Sequence, residues 1–428
     1  MNTTLTAAIF GKHEDNTLEQ LRNVAGHGNV VGAAIMADGH FGYSQPIGGV
    51  VAYDGQISPS GVGYDIACGN LAVRTKLTYG GVKDDLSRIA DEVFKQVEFG
   101  IGRTTDAGVD HAVFDDERWD DMPELASMKE LARNQLGTVG SGNHYVDIFA
   151  ETVDGKYTDD SRIWIGVHFG SRGFGHKTAT GFLRLNAGMD FFPVKGGERL
   201  GETMMDMPTL LDVDSHIGHQ YIRAMELAGE YAYAGRDTVV DTVLDILGTT
   251  QDKYVHNHHN FAWKETHGGK EVWVVRKGAT PLWPGQESFI GGSMCDESVI
   301  VEGADPVLRN GSATAIGIDT TIAYNQANSF MSTVHGAGRV MGRMAAKGKV
   351  AKDGTVKRVG KVSPEMMRES VSDYGIQLRG AGVDESPFVY RRLPEVLDFH
   401  KNTTKVKHTL RPIVVCMAGE DVYDPFKD

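Results

Sequence analysis

The sequence predicts an α+β fold in which mixed β-sheets and helices pack as one body. Three observations predict it. Short β-branched and aromatic runs recur along the chain, and amphipathic helical stretches separate them at irregular intervals. The two kinds do not alternate in the strand–helix–strand order of a doubly wound parallel sheet. In chain order, residues 47–53 (IGGVVAY) and 71–77 (LAVRTKL) read as strands. Residues 84–98 predict a helix, with Leu86, Ile89, Val93 and Val97 on one face behind Asp84 and Asp85. A strand at 163–169 (IWIGVHF) and a long helix over about 214–247 follow. Strands at 271–276 (EVWVVR) and 298–302 (SVIVE) precede a helix over about 337–347. Ser363-Pro364-Glu365 opens a further helix with a cap residue and an N1 proline, and 412–416 (PIVVC) is the last strand.

The length of 428 residues allows two to four domains by size alone. No internal repeat or low-complexity linker divides the chain, so one unit over residues 1–428 is expected. Glycine is abundant, at 53 residues against 13 prolines, which favours tight turns and backbone held close to ligands. Cys68, Cys295 and Cys416 make an odd count and no disulfide framework. The N-terminal MNTTLTAAIFGKHEDN lacks the basic region of a signal peptide, and no apolar run reaches the length of a spanning helix. A soluble, cytoplasmic protein with no membrane partner is expected. The net charge of −14 argues against a polyanion as partner, but the charge is uneven. Residues 115–124 (DDERWDDMPE) are strongly acidic. Residues 339–361 carry Arg339, Arg343, Lys347, Lys349, Lys352, Lys357, Arg358 and Lys361 against the single acid Asp353. Such a run is usually a solvated face, and it also suits a track for phosphates.

The chemistry concentrates in five segments of one construction, each with a reactive residue beside Gly, Asn or Ser at the end of a strand-like run. They are 61–70 (GVGYDIACGN), 140–145 (GSGNHY), 166–175 (GVHFGSRGFG), 256–260 (HNHHN) and 334–339 (VHGAGR). Asp65 and Cys68, three apart, can offer a hard oxygen and a soft thiolate to one ion, though an isolated pair reads equally as a turn with a buried thiol. Four histidine segments of the same build move the reading towards a divalent transition metal, and two metals sharing the thiolate would clamp phosphoryl oxygens. His335, the flexible backbone of Gly336, Ala337 and Gly338, and the guanidinium of Arg339 suit a phosphate beside a nucleophilic imidazole. Arg172 follows His168 closely, and the loops RKGA at 276–279 and GGSM at 291–294 add small residues and donors. Neither the P-loop pattern GxxxxGK[ST] nor a Rossmann GxGxxG is present.

Together these segments resemble the RtcB-type RNA ligases over about residues 30–419. The resemblance rests on MADGHFGYSQPIGGVVA, ISPSGVGYDIACG, GTVGSGNHYVDI, VHFGSRGFG, NHHNFAWKE, RKGA, GGSM and HGAGRVMGR, in the family's order. It implies a fold with mixed sheets around a central metal and nucleotide cleft. It also implies joining of an RNA 3′-phosphate, or an opened 2′,3′-cyclic phosphate, to a 5′-hydroxyl, with GTP and two Mn²⁺ ions. The RNA would be tRNA halves or another broken RNA, and an activating protein partner is not specified. By the resemblance, Asp65, Cys68 and His144 hold one ion, while Cys68, His168 and His259 hold the other. His335 becomes the covalent histidine–GMP. Asn143, Tyr145, Asp147, Asn260, Gly291, Gly292, Ser293, Met294, Ser298, Gly336, Ala337, Gly338 and Tyr390 line the nucleotide. Arg172, Lys277 and Arg339 meet phosphates or RNA.

Some positions depart from the family pattern. Ala418-Gly419 stands for a terminal Lys-Gly, Asp147 for a glutamate, Val334 for a cysteine or serine, Arg391-Arg392 for Lys-Asp and Ala37 for a proline. The metal ligands and His335 are intact, so these changes bear on nucleotide affinity and base preference. A metal-dependent RNA-end phosphohydrolase or cyclic phosphodiesterase, a divergent paralogue with altered nucleotide preference, and an RNA-end-binding protein without catalysis are the alternatives.

Overall fold

Every strand expected from the sequence forms, and the strands assemble into two mixed sheets that meet at a histidine. The computed structural model describes residues 7–105, 108–195, 208–304, 327–350 and 356–419. Lys352 and Asp353 of the basic run lie outside them. The larger sheet has eight strands, in the order Gln251–His258, Gly69–Thr78, Arg162–Phe169, Tyr145–Thr152, Thr404–Gly419, Ser298–Gly303 and Glu287–Ile290, with Gln377–Ala381 alongside Thr404–Gly419. All its pairings are antiparallel except that last one. The second sheet has five strands, Ala8–Ile9, Val30–His40, Ile47–Tyr53, Lys270–Lys277 and Asn260–His267. Its Ala8–Ile9 pairing is parallel and the rest are antiparallel. The chain leaves the first sheet at His258, opposite Gly69, and enters the second at Asn260, opposite Lys277. His259 alone joins the two.

The 32-residue helix His216–Leu247 closes the back of this junction. The Ser215 hydroxyl accepts from Gly218 N–H at its start, and Gly248, in the left-handed region, ends it. Its first half packs Tyr221, Met225, Leu227 and Tyr231 into one apolar cluster, and Val239, Val240 and Val243 enter a second. Each large apolar side chain so buried contributes about 1.5–3 kcal/mol. The helix therefore locks the two halves of the site to one rigid rod. Leu86–Gln96 forms within the expected 84–98 and buries Ile89, Ala90 and Val93, and Pro364–Tyr374 starts on the Ser363 cap as expected.

One expectation is corrected. The helix over 337–347 is confined to Arg343–Lys347. Upstream, the backbone polar groups are taken by other segments instead of by a helical ladder. His335 and Gly336 N–H donate to Asp38, Arg391 N–H donates to the Gly338 carbonyl, and Val340 N–H donates to the Val389 carbonyl. Gly338 has φ +73°, and a Cβ there would lie 2.2 Å from the Asp38 carbonyl oxygen. Helices at Asp15–Ala25, Pro123–Gln135 and Arg172–Asn186 also form beyond those the periodicity marked.

Candidate metal centre

Asp65 and Cys68 sit in the turn that enters the strand Gly69–Thr78, closed by Cys68 N–H donating to the Asp65 carbonyl at 3.1 Å. The Cys68 carbonyl accepts from His259 N–H at 2.8 Å, which fixes the thiol against the junction of the sheets. His144 precedes Tyr145–Thr152 and His168 is the penultimate residue of Arg162–Phe169. Every candidate ligand thus stands at the end of a strand. Gly170 is required for close approach, because a Cβ there would lie 2.2 Å from Asp65 Oδ1.

Two triads share the cysteine: Asp65, Cys68 and His144, and Cys68, His168 and His259, with ligand atoms in each within 4.8 Å of one another. Cys68 Sγ lies 3.3 Å from His168 Nε2 and 3.7 Å from His144 Nε2, and His144 Nε2 lies 3.2 Å from Asp65 Oδ2. Two ligands each about 2.0–2.3 Å from one ion are separated by about this much. His144 Nδ1 is 3.0 Å from the Val139 carbonyl and His168 Nδ1 is 3.1 Å from the Asn143 carbonyl. With Nδ1–H donating to those carbonyls, both Nε2 lone pairs face the thiol. His259 Nδ1 is buried with no hydrogen-bond partner among the described residues. An orphaned imidazole nitrogen beside a thiol, a carboxylate and two oriented imidazoles fits a divalent ion.

Electrostatics agrees. Burial pushes His168 and His259 well below the usual imidazole range, so both stand neutral, as ligands must. Burial, then the Asp65 charge, pushes the Cys68 thiol up. Burial raises Asp65 too, but the hydrogen bond and charge of His144 outweigh it and hold the carboxyl at about 2.

His335 follows the strand Ser332–Val334, and its ring centroid lies 4.9 Å from that of His259. Its Nδ1 is 2.6 Å from Asp38 Oδ2, the oxygen that also accepts from His335 and Gly336 N–H at 3.0 and 3.3 Å. Asp38 is fully buried. Burial raises its pKa, but the charge and hydrogen bonds of His335 bring it below the usual carboxylate value. Sequence reasoning missed Asp38, although ADGH at the end of Val30–His40 repeats the glycine-flanked strand-end pattern. It also missed Arg236. This guanidinium is fully buried on the long helix and donates to the carbonyls of Ala67 and Phe169 at 3.0 and 2.6 Å. Its other nitrogens meet His256 Nε2 at 2.6 Å and His258 Nδ1 at 2.9 Å. One side chain thereby ties the backbone beside Cys68, His168 and His259. An arginine within YAYAGRDTVV, in an otherwise apolar helical stretch, was its signal.

The residues expected around a nucleotide fall into two groups. Tyr145 and Asp147 project from one strand face, each with a buried oxygen that has no partner among the described residues. Burial pushes Asp147 well above the usual carboxylate range. A Cβ on Gly291 would lie 2.6 Å from the Tyr145 hydroxyl, and Gly291 bridges to Gly336 beside His335. Ser298 Oγ accepts from Gly292 N–H, Ser293 accepts from Asp296 N–H, and Met294 packs with Tyr145, which shapes this wall. Asn143 orients His168 through its carbonyl, and Ala337 is buried between Gly336 and Gly338. The other group is engaged with the protein itself. Asn260 spans the Asp65 carbonyl and Gly278 N–H. Lys277 is buried and donates to the Tyr43 carbonyl, and Arg172 donates to Thr138 Oγ1 and the Gly100 carbonyl. Arg339 lies over the Tyr390 ring and donates to the Tyr390 hydroxyl, the Asp384 carbonyl and Glu385, while Tyr390 itself donates to Glu385. Ala418 is buried in the apolar cluster of Val146 and Ile148.

The family model described as tRNA-splicing ligase RtcB matches residues 20–124 and 117–418, which include Asp38, both triads and His335. The chain belongs to the RtcB family. It is 30% identical to the tRNA-splicing ligase RtcB of Thermococcus kodakarensis, over 90% of this chain and 87% of that protein. It is 29% identical to the protein of the same name from Archaeoglobus fulgidus, over 94% and 91%. It is 28% identical to the RNA-splicing ligase RtcB of Escherichia coli K12, over 90% of each. This RtcB chain has, among its described residues, no helix long and apolar enough to cross a membrane.

Proposed function

We propose that this chain is an RNA ligase that joins an RNA 3′-phosphate, or a 2′,3′-cyclic phosphate after its opening, to a 5′-hydroxyl through a covalent GMP on His335. The observation that carries the reading is the pair of buried Asp38 and half-buried His335, 2.6 Å apart, set beside two candidate ligand triads that share Cys68. With Nδ1 held by the carboxylate, the Nε2 lone pair is free to attack the α-phosphorus of GTP; the N–P bond forms as the bond to pyrophosphate breaks. The ring becomes cationic on this step, and Asp38 stabilises that charge. An oxygen of the RNA 3′-phosphate then takes the GMP and restores the imidazole. The 5′-hydroxyl oxygen attacks the activated RNA phosphorus, GMP leaves, and the hydroxyl proton passes to solvent. Two divalent ions, manganese in this proposal, would be held by Asp65, Cys68 and His144 and by Cys68, His168 and His259, and would offset phosphoryl charge.

The Tyr145 hydroxyl beside Gly291, and the Asp147 oxygen on the same strand face, both without a partner among the described residues, support a nucleotide wall there. Ala418 supplies no cation, so discrimination for guanine is weakened; one lost contact to a charged group corresponds to about 1.5–3 kcal/mol. We also infer a single catalytic unit, since Asp38 meets His335 and one sheet joins residue 69 to residue 419. A reducing cytoplasm suits a centre built on the free thiol of Cys68. The test is incubation with α-labelled GTP and Mn²⁺. The label is expected on the parent and absent from His335→Ala. No covalent label on the parent, or phosphate released from RNA ends without GTP and without joined product, would assign the site to hydrolysis instead.

A further inference from the structure

The basic run of residues 339–361 divides in two in the structure. Its first three cations turn inward. Arg339 and Arg343 both bind Glu385, Arg343 also reaches Asp384 Oδ2 at 3.2 Å, and Lys347 reaches Asp384 Oδ1 at 3.0 Å. The acids that neutralise them are buried. The remaining described cations, Lys349, Lys357, Arg358 and Lys361, are exposed, and among the described residues no ion pair or hydrogen bond engages their side chains. Lys349 and Arg358 stand directly opposite each other in the hairpin of Gly348–Val350 and Val356–Val359. Like charges in directly opposed positions destabilise a hairpin. In a chain of net charge −14, acids to relieve that repulsion are plentiful, yet none stands at the described positions of the two strands.

The hairpin is anchored to the catalytic face. It continues from the short helix Arg343–Lys347, and a Cβ on Gly142, two residues before His144, would lie 3.1 Å from the Arg343 guanidinium. Lys361 N–H donates to the Ala345 carbonyl, so the far strand returns to the same helix. The cations lie on both faces of the two strands, as the alternation of Lys357 and Arg358 requires. Aromatic and amide side chains that could stack on or read bases are absent from its described positions.

We propose that this hairpin is a backbone-reading surface that grips the phosphates of RNA beside the ligase centre, without sequence preference. The proposal rests on the RNA ligase reading for the identity of the polyanion. Contacts of this kind are sequence-independent and strongly dependent on salt.

The test uses the full chain carrying Lys349→Gln, Lys357→Gln, Arg358→Gln and Lys361→Gln together, with unchanged thermal melting as the control for folding. Affinity for a labelled single-stranded RNA with a 3′-phosphate is measured across salt concentrations. The expected result is affinity lower by roughly tenfold or more and a log–log salt slope shallower by roughly 3, at about 0.7 per phosphate released. Guanylate labelling from GTP remains at the parent level. Equal affinity and slope in parent and variant would overturn the proposal, as would a parent that binds no RNA. Tighter binding of poly-glutamate than of RNA at equal charge would reassign the surface to an acidic protein. A parent that takes no guanylate but binds RNA with the hairpin-dependent slope would remove the ligase reading and leave the surface standing.

Discussion

The carboxylate of Asp38 does three things with one oxygen: it holds the His335 ring and accepts the N–H groups of His335 and Gly336. Arg391 secures it from behind, donating to the Asp38 and Gly39 carbonyls at 2.9 and 3.2 Å. Replacing Asp38 by Asn keeps an oxygen for the loop and removes the negative charge facing the ring. The rate of guanylate transfer to His335 is then expected to fall by about 10²–10⁴-fold, the range for a lost acid–base or orienting partner. Rapid quench with labelled GTP reads that rate directly, and circular dichroism checks the fold. A rate equal to the parent would remove Asp38 from the mechanism. Arg339 teaches the opposite lesson at the same scale. Its guanidinium beside HGAG reads as a phosphate ligand, yet Asp384, Glu385 and Tyr390 engage it in the folded chain. Partners more than forty residues away leave no mark on local spacing.

At the scale of elements, the strands that carry the ligands are held by buried cations rather than by apolar packing alone. Arg236 does this from the long helix. Arg276 does it between strands: on Lys270–Lys277 it binds Glu265 of Asn260–His267 at 2.7 and 3.0 Å, Ser332 Oγ at 2.7 Å and the Phe330 carbonyl at 2.7 Å. It therefore fixes the entry of the strand that delivers His335. Burial raises the Glu265 pKa, but the Arg276 charge and the hydrogen bonds of His267 and Arg276 bring it below its ordinary 4.5. A carboxyl depressed in the folded state contributes stability fully present above its unfolded pKa and lost as pH falls through the folded one. Glu265→Gln leaves Arg276 buried without its charge partner and is expected to destabilise by about 3–5 kcal/mol at pH 7. The difference from the parent should shrink as pH falls below 4.5. Urea midpoints at pH 7 and in that acid range measure both. A difference that stays constant with pH would mean the pair contributes no charge–charge term.

For the whole molecule, the strands were legible because β-branched runs bounded by glycine are local signals, and the candidate ligands stood out because each sits at such a boundary. The helix Arg172–Asn186 was not, since its first turn, RGFG, holds two glycines and the side chain of its N-cap residue Ser171 makes no capping hydrogen bond. The helix expected over 337–347 shrank because HGAGRVMG gives its backbone bonds to Asp38, Arg391 and Val389. Arg236 needed the tertiary fold, because its targets are the carbonyls of residues 67 and 169. The triads likewise unite candidate ligands from residue 65 to residue 259, from the ends of first-sheet strands to the junction with the second. An ion bound there recognises the folded chain and not the unfolded one, so it stabilises by RT ln(1 + [ion]/Kd), about 4 kcal/mol at a thousandfold excess over Kd. Because the thiol is shared, the variants should grade. Manganese should raise the melting temperature of the parent most, and that of His144→Ala or His168→Ala less, since each loses one triad. Cys68→Ala loses both and should show no rise. The proton held by the Cys68 thiol must leave on binding, so the rise should grow with pH. Differential scanning calorimetry with and without Mn²⁺ measures each shift without any need for turnover. An equal rise in the parent and in Cys68→Ala would place the ion elsewhere.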